Sequence, residues 1–247
     1  MADVLLVTGG GRGIGAAVAL LAAQRGYDVA VNYREDERAA SSIVDAVRSL
    51  GMRGTTIQAD VSKEPDVVKM FQRIDTFGTL GALVNNAGVT GGFSRVADLT
   101  AAALGRTLAV NTYGAILCAR EAVRRMSTTW GGAGGAIVNV TSIASRLGGA
   151  GEWVHYAASK AALDTFTLGL AREVAGEGIR VNAVSPGIVD TEIHATAGDP
   201  HRAKRMAATI PLGRAATANE VAETIVYLLT PAASYITGSI VEIGGGR

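Results

Sequence analysis

Seven short runs rich in β-branched residues recur along this chain, at about 3–7, 28–32, 54–58, 82–85, 136–140, 179–184 and 239–243. Segments of helical character lie between them, at about 13–25, 36–50, 64–76, 100–126, 155–175 and 218–229. Runs such as "DVLLV" and "AIVNV" are apolar throughout rather than alternating, so both of their faces are buried. Strands of that kind separated by helices assemble into a parallel sheet covered on both sides, the doubly wound α/β architecture. No Pro- or Ser-rich linker divides the 247 residues and no repeat is visible, so a single domain over 1–247 is expected.

Two segments break the rhythm. "WGGAGG" (130–135) reads as a flexible approach to the fifth strand. "DTEIHATAGDPHRAKRM" (190–206) is long, polar and follows the sixth strand. Ligands of open α/β sheets sit beyond the strand C-termini. A mobile substrate lid at about 190–210 is therefore expected.

Composition narrows the function classes. Lys plus Arg number 23 against 22 Asp plus Glu, which gives no general attraction to nucleic acid or to an anionic membrane. No apolar run approaches the roughly 20 residues of a membrane span. The N-terminus lacks the basic start of a signal peptide, so a cytoplasmic location is expected. The lone Cys118 excludes an internal disulfide and a multi-cysteine metal site. His155, His194 and His201 show no ligand spacing, and no metal is expected.

The first strand runs into "TGGGRGIG" (8–15) and then an apolar helix. Glycines let the backbone turn sharply there and approach a ligand closely. The helix N-terminus that follows suits a phosphate. The glycines that matter are Gly9, Gly13 and Gly15, with an extra residue in the turn relative to GxGxxG. The second strand ends "VNYRED", with Asn32, then Tyr33 at about the place of the ribose-binding acid of an NAD site, then Arg34. Arg12 and Arg34 together suit a 2′-phosphate, so NADP(H) is preferred. NAD(H) remains open through Glu35 or Asp36.

"EWVHYAASKAAL" (152–163) places Tyr156 and Lys160 four residues apart, on one face of a helix. A free tyrosine, with a pKa near 10, is a poor base at neutral pH, and a nearby ammonium favours its phenolate. The pair therefore reads as a proton-transfer device. Ser142, just past the fifth strand, is placed to bond a substrate carbonyl. Asn111 lies inside the long fourth helical segment, where asparagine is mildly unfavourable.

Taken together, "TGGGRGIG", "NNAG" (85–88), Asn111, Ser142, "YAASK" (156–160), Asn182 and "PG" (186–187) resemble the short-chain dehydrogenase/reductase family over essentially the whole chain. The resemblance implies a Rossmann fold with a seven-stranded parallel sheet in the order 3-2-1-4-5-6-7. It implies Tyr156 as the acid/base, Lys160 as its electrostatic partner and a ribose ligand, and Ser142 as the carbonyl-orienting group. Asn111 would hold a water that relays protons to Lys160. Gly9, Arg12, Gly13, Ile14 and Gly15 would line the pyrophosphate and adenosine side, and Asp60 and Val61 would flank the adenine. Asn86, Ala87 and Gly88 would pass beside the adenosine ribose. Pro186, Gly187, Ile188 and Thr191 would surround the nicotinamide. It also implies a homotetramer built on the long helices after strands four and five.

The implied reaction is hydride transfer between NADP(H) and a small-molecule carbonyl or alcohol. Within the family the chain is most similar to 3-oxoacyl-[acyl-carrier-protein] reductase-like and glucose-dehydrogenase-like members. An acidic carrier protein needs a basic docking face. "MSTTWGGAGG" stands before the fifth strand where such enzymes typically carry Lys or Arg, leaving Arg124, Arg125 and Arg172. Ile143, Glu152 and Trp153 join Ser142 and Tyr156 as substrate-pocket candidates, with Arg146 and His155 nearby. Glu152 and Arg146 are read either as binding a polar substrate or as pairing with each other. Two other classes compete: a dinucleotide sensor without catalysis, and an epimerase or dehydratase of nucleotide sugars. Sensors commonly lose the tyrosine or lysine that this chain keeps, and the sugar enzymes tend to be longer.

Overall fold

The computed structural model describes residues 3–247. The strands are β1 (Val4–Val7), β2 (Asp28–Tyr33), β3 (Gly54–Gln58), β4 (Leu80–Asn85), β5 (Gly135–Val140), β6 (Ile179–Pro186) and β7 (Ile240–Ile243). They form one parallel sheet in the order β3-β2-β1-β4-β5-β6-β7, as expected. The helices are α1 (Gly13–Gln24), α2 (Glu37–Ser49), α3 (Glu64–Phe77), α4 (Ala101–Leu108), α5 (Ala115–Met126), α6 (Ala144–Leu147), α7 (Val154–Val174), α8 (Ile193–Thr196), α9 (Arg202–Met206) and α10 (Ala218–Leu229). A π turn, Ala109–Gly114, joins α4 to α5.

Burial on both faces explains the continuous apolar runs. Leu6 and Ile137 pack on one side with Phe71 of α3 and Ala122 of α5. Leu5 and Val138, their sequence neighbours, pack on the other with Val18 of α1 and Ile225 of α10. Sequence signals also fix helix ends. Asp36 accepts from the Ala39 N–H at the start of α2, and Thr217 with Glu220 forms a capping box on α10.

Two sequence expectations change. The 130–135 segment is not a flexible approach. Gly132 N donates to Ser127 O and Gly134 N to Met126 O. A Cβ at Gly132 would stand 2.4 Å from the Arg125 carbonyl oxygen. The glycines there permit close packing. The 190–206 segment carries α8 and α9 rather than an irregular loop, and α9 buries Arg202 and Ala203. His194, one of the three histidines considered for metal, has a side chain outside the described set.

The chain order reverses between β1 and β4, and the loops after these strands open the cleft expected at such a switch point. That cleft encloses about 1270 Å³ and runs from the glycine turn to Tyr156 and the α9 segment.

Candidate active site

At one end of the cleft the turn after β1 is built almost wholly from backbone. Gly9 and Gly13 adopt φ of +61° and +54°, a region that glycine enters without steric cost. Gly15 is required by space: a Cβ there would lie 2.5 Å from Asn86 Nδ2 and 2.6 Å from Gly9 O. Asn86 Nδ2 donates to the carbonyls of Thr8 and Gly9, and the Thr8 hydroxyl accepts from the N–H groups of Asn86 and Ala87. The start of α1 has no side-chain cap and no acidic residue in its first turn. Its free N–H groups and positive dipole end therefore suit an anion.

Asn32, expected to touch the cofactor, has a different principal task. It is buried, accepts from Gly9 N, and donates to the carbonyls of Ile57 and Ala59. It ties the glycine turn to β2 and β3. Arg12 and Arg34 both line the cleft, as expected. Arg34 pairs with Glu35, whereas Arg12 makes no ion pair among the described residues. The nearby carboxylates are engaged, Glu35 by Arg34 and Asp36 by the α2 cap. Asp60 bonds Ser62 and pairs with Arg106 at 3.1 Å. Burial alone would raise its carboxyl pKa, but Ser62 and Arg106 outweigh it and hold the group below its ordinary value. Arg106, also on the cleft wall, was not legible as a site residue.

At the centre, α7 presents Tyr156 and Lys160 one turn apart, both buried, with Lys160 Nζ 5.8 Å from the phenol ring centre. The expected lowering of the phenol pKa by Lys160 does not prevail in the net shift. Burial raises that pKa above its ordinary value, and the Ser142 hydroxyl pulls it back down. Lys160 instead donates to Val140 O at 2.7 Å. Burial pushes its ammonium pKa down to about 8, against a raising effect from Asp164.

Asn111 sits in the π turn, a distortion common at functional sites. Its Oδ1 accepts from Val89 N, and its Nδ2 donates to Val89 O and to Ser159 Oγ, all within 2.8–2.9 Å. Both N–H groups of its side-chain amide are thus committed, while Oδ1 keeps one acceptor site. Ser159, which sequence reading missed, passes the connection on by donating to Tyr156 O. A Cβ at Gly88 would stand 3.5 Å from both Asn111 Oδ1 and Lys160 Nζ, so these groups crowd one point. Beneath them Asn85, Asn139 and Thr167 form a buried hydrogen-bonded chain that links β4, β5 and α7.

At the far end, Ile143, Glu152 and Trp153 line the cleft with Ser142 and Tyr156. Pro186, Gly187, Ile188 and Thr191 line it opposite. Thr191 also reaches the glycine turn, 3.4 Å from where a Gly13 Cβ would stand. Glu152 and Arg146 do not pair with each other. Arg146 binds Glu242 and the Arg247 carbonyl, and Glu152 forms a two-pronged ion pair with Arg202 of α9. The reason is geometric: the short helix α6 carries Arg146 toward β7, and α9 delivers its own arginine. Among the described residues, no cluster of His, Cys, Asp and Glu suits a metal ion, and no helix is long and apolar enough to cross a membrane.

Comparison with known proteins agrees with this geometry. Residues 9–247 match a family model described as enoyl-(acyl carrier protein) reductase. The chain is 52% identical to the uncharacterised oxidoreductase YgfF of Escherichia coli (strain K12), covering 99% of each. It is 39% identical to a cis-4-hydroxycyclohexanecarboxylate dehydrogenase of Sinomonas cyclohexanicum, covering 98% of this chain and 95% of that one. A Burkholderia cenocepacia short-chain dehydrogenase, solved in complex with NADP, superposes with a TM-score of 0.90 at 34% identity, covering 99% and 97% of the two chains. The matched sheet order, the glycine turn and the Ser142–Tyr156–Lys160 cleft run the length of the chain, and the protein belongs to the short-chain dehydrogenase/reductase family of oxidoreductases.

Proposed function

We propose that the protein is an NADP(H)-dependent reductase of a small-molecule carbonyl, with Tyr156 as its proton donor. One observation carries the reading: the buried Tyr156 side chain faces Ser142 at the end of a dinucleotide-sized cleft. The residues present fit the cofactor. The uncapped start of α1 and the left-handed backbone at Gly9 and Gly13 suit a pyrophosphate. Arg12 and Arg34 would take a 2′-phosphate: both line the cleft, and Arg12 makes no ion pair among the described residues. The NADP found with the Burkholderia relative supports that preference.

When bound, the nicotinamide supplies the hydride. Ser142 donates a hydrogen bond to the substrate oxygen as negative charge gathers there. Tyr156 then gives its proton to that oxygen. The raised pKa keeps the proton on the phenol at neutral pH, which suits reduction. Lys160, held by Val140 O, offers a charge that titrates near pH 8 to the spent phenolate and to the ribose. Asn111, with both side-chain N–H groups committed, would hold a relay water through the remaining acceptor site of Oδ1 or through the backbone of the π turn.

The α8–α9 segment is read as the substrate lid. A carrier-protein substrate is disfavoured. Arg124 is engaged by Glu121, and Arg125 by Asp75 and Glu121, so little of that basic face is free for an acidic partner. A homotetramer on α4–α5 and α7 is the expected assembly, and a monomer mass by light scattering at micromolar concentration would refute it.

The test is NADPH and NADH oxidation, followed by absorbance, against ketones, diketones and acetoacetyl thioesters. Turnover with NADPH, lost at least about a thousandfold in Tyr156→Phe, is the expected result. Tight cofactor binding without turnover of any ketone would favour a sensor.

A further inference from the structure

Resting on the reductase reading, we propose that the Glu152 carboxylate, fixed by Arg202, selects carbonyl substrates that carry a hydroxyl group away from the reacting carbon. The same contact disfavours substrates with a carboxylate at that place.

Arg202 is already engaged within the protein. It is 4% exposed, and its two terminal nitrogens bind the two Glu152 oxygens at 2.9 and 2.6 Å. Its guanidinium lies over the rings of Trp153 and Phe93, 4.5 and 5.5 Å from their centres. Of its three other N–H groups, the one at Nε is buried and unpartnered. Its end-on fork of donors is taken by Glu152 and is closed to a substrate carboxylate. Glu152, by contrast, has a side chain 38% exposed on the cleft wall. Each of its oxygens accepts one hydrogen bond from Arg202 and keeps a lone pair free. The accessible group is therefore an anionic acceptor with a fixed orientation.

Its position sets the substrate's shape. Trp153, next in sequence to Glu152, packs edge-on to Tyr156 with ring centres 5.9 Å apart. The acceptor and the proton donor thus line one cleft, on either side of the Trp153 ring in the chain. A hydroxyl across a small carbocycle or sugar-like ring meets Glu152 while the carbonyl meets Tyr156. A carboxylate there meets like charge. Arg247 lines the same cleft and acts on Glu152 from a distance, so it is the group that would favour the opposite choice.

Three ketones of one shape separate the cases: 4-(hydroxymethyl)cyclohexanone, 4-methylcyclohexanone and 4-oxocyclohexanecarboxylate. Their dissociation constants are measured by calorimetry on the NADP-loaded enzyme, alongside kcat/KM with NADPH. The wild type should bind the hydroxymethyl ketone about tenfold better than the methyl ketone, and the carboxylate most weakly. Glu152→Gln should bring the first two to parity and, by freeing Arg202, raise the carboxylate about tenfold relative to the hydroxymethyl compound. Arg202→Met should move the carboxylate-to-hydroxymethyl ratio the other way. NADPH affinity by fluorescence checks that each variant is folded.

A wild-type preference for the carboxylate, equal or undetectable binding of the three, or a ratio unmoved by Glu152→Gln overturns the proposal; a carboxylate preference would give Arg247 the specificity role. Binding in the expected order with no NADPH oxidation would instead sink the reductase reading and leave the role of Glu152 standing.

Discussion

The two ends of the cleft are held by different means. At the cofactor end, the glycine turn is held backbone to backbone or through short side chains: Thr8, Asn32, Asn86 and the tight turn at Gly15. At the substrate end, long charged side chains from distant segments meet over aromatic rings, as Glu152 and Arg202 do beside Trp153 and Phe93. The first construction tolerates almost no change, because a shifted backbone moves every donor at once. The second allows exchange, because one side chain can be replaced while the frame stands. An unvarying ligand paired with a variable one calls for that division, with specificity carried on segments fixed to a rigid scaffold.

The contrast is tested hardest at Gly15. Gly15→Ala puts a methyl against Asn86 Nδ2 and Gly9 O, and both are locked by hydrogen bonds. NADPH affinity should fall by about a hundredfold or more and stability by roughly 1–3 kcal/mol. Fluorescence titration and urea unfolding measure the two. Binding within threefold of wild type would mean that the cofactor end yields as the substrate end does.

Asn111→Leu tests the junction between them. The variant leaves Val89 N and Val89 O without their side-chain partners inside the protein. Each buried group left unsatisfied costs about 1–3 kcal/mol, so unfolding at lower urea by roughly 2–4 kcal/mol is expected. A loss below about 0.5 kcal/mol would show that water replaces the amide and that the π turn does not depend on it.

Lys160 gives a pH signature. Its folded pKa of about 8 lies below the ordinary 10.5, so the unfolded chain binds the proton more tightly. The penalty is full below pH 8 and fades as pH rises toward 10.5. Relative to Lys160→Met, the wild type should therefore gain about 2–3 kcal/mol of stability across that window. A flat difference would mean that the ammonium is better solvated than its burial and its bond to Val140 O imply.

How much of this was legible in the sequence follows the same division. Continuous apolar runs and helical spacing placed every strand and every long helix, because burial on both faces leaves a periodic trace. Glycines required by φ or by space were visible at positions 9, 13 and 15, since a backbone constraint restricts the residue type itself. Tyr156, Lys160 and Ser142 were legible through their spacing relative to elements. Arg202 was not, because an arginine in a polar segment looks the same whether solvated or buried, and its partner stands fifty residues earlier. Arg106 and Ser159 were hidden for the same reason. Asn32 was visible and lines the cleft as expected, but its ties to Gly9, Ile57 and Ala59 were not, since they join three separate segments.

The smallest expected effect sharpens the comparison at its weaker end. Arg202→Met removes the ion pair and the two ring contacts that tie α9 to Trp153 and Phe93. Glu152 is more than a third exposed, so water screens the pair and takes over the freed carboxylate. Methionine also keeps much of the packing on the rings. Global stability should fall by only about 1 kcal/mol, read as a small shift in the urea midpoint. The local effect should exceed the global one. Trypsin cleavage after Lys204 or Arg205 should accelerate severalfold under native conditions, because the segment opens without the sheet unfolding. A loss of 3 kcal/mol or more would place α9 in the core and erase the distinction between the two ends. Unchanged cleavage with unchanged stability would show that Ile188, Ala203 and Ile210, packed together beneath the segment, hold it without the arginine.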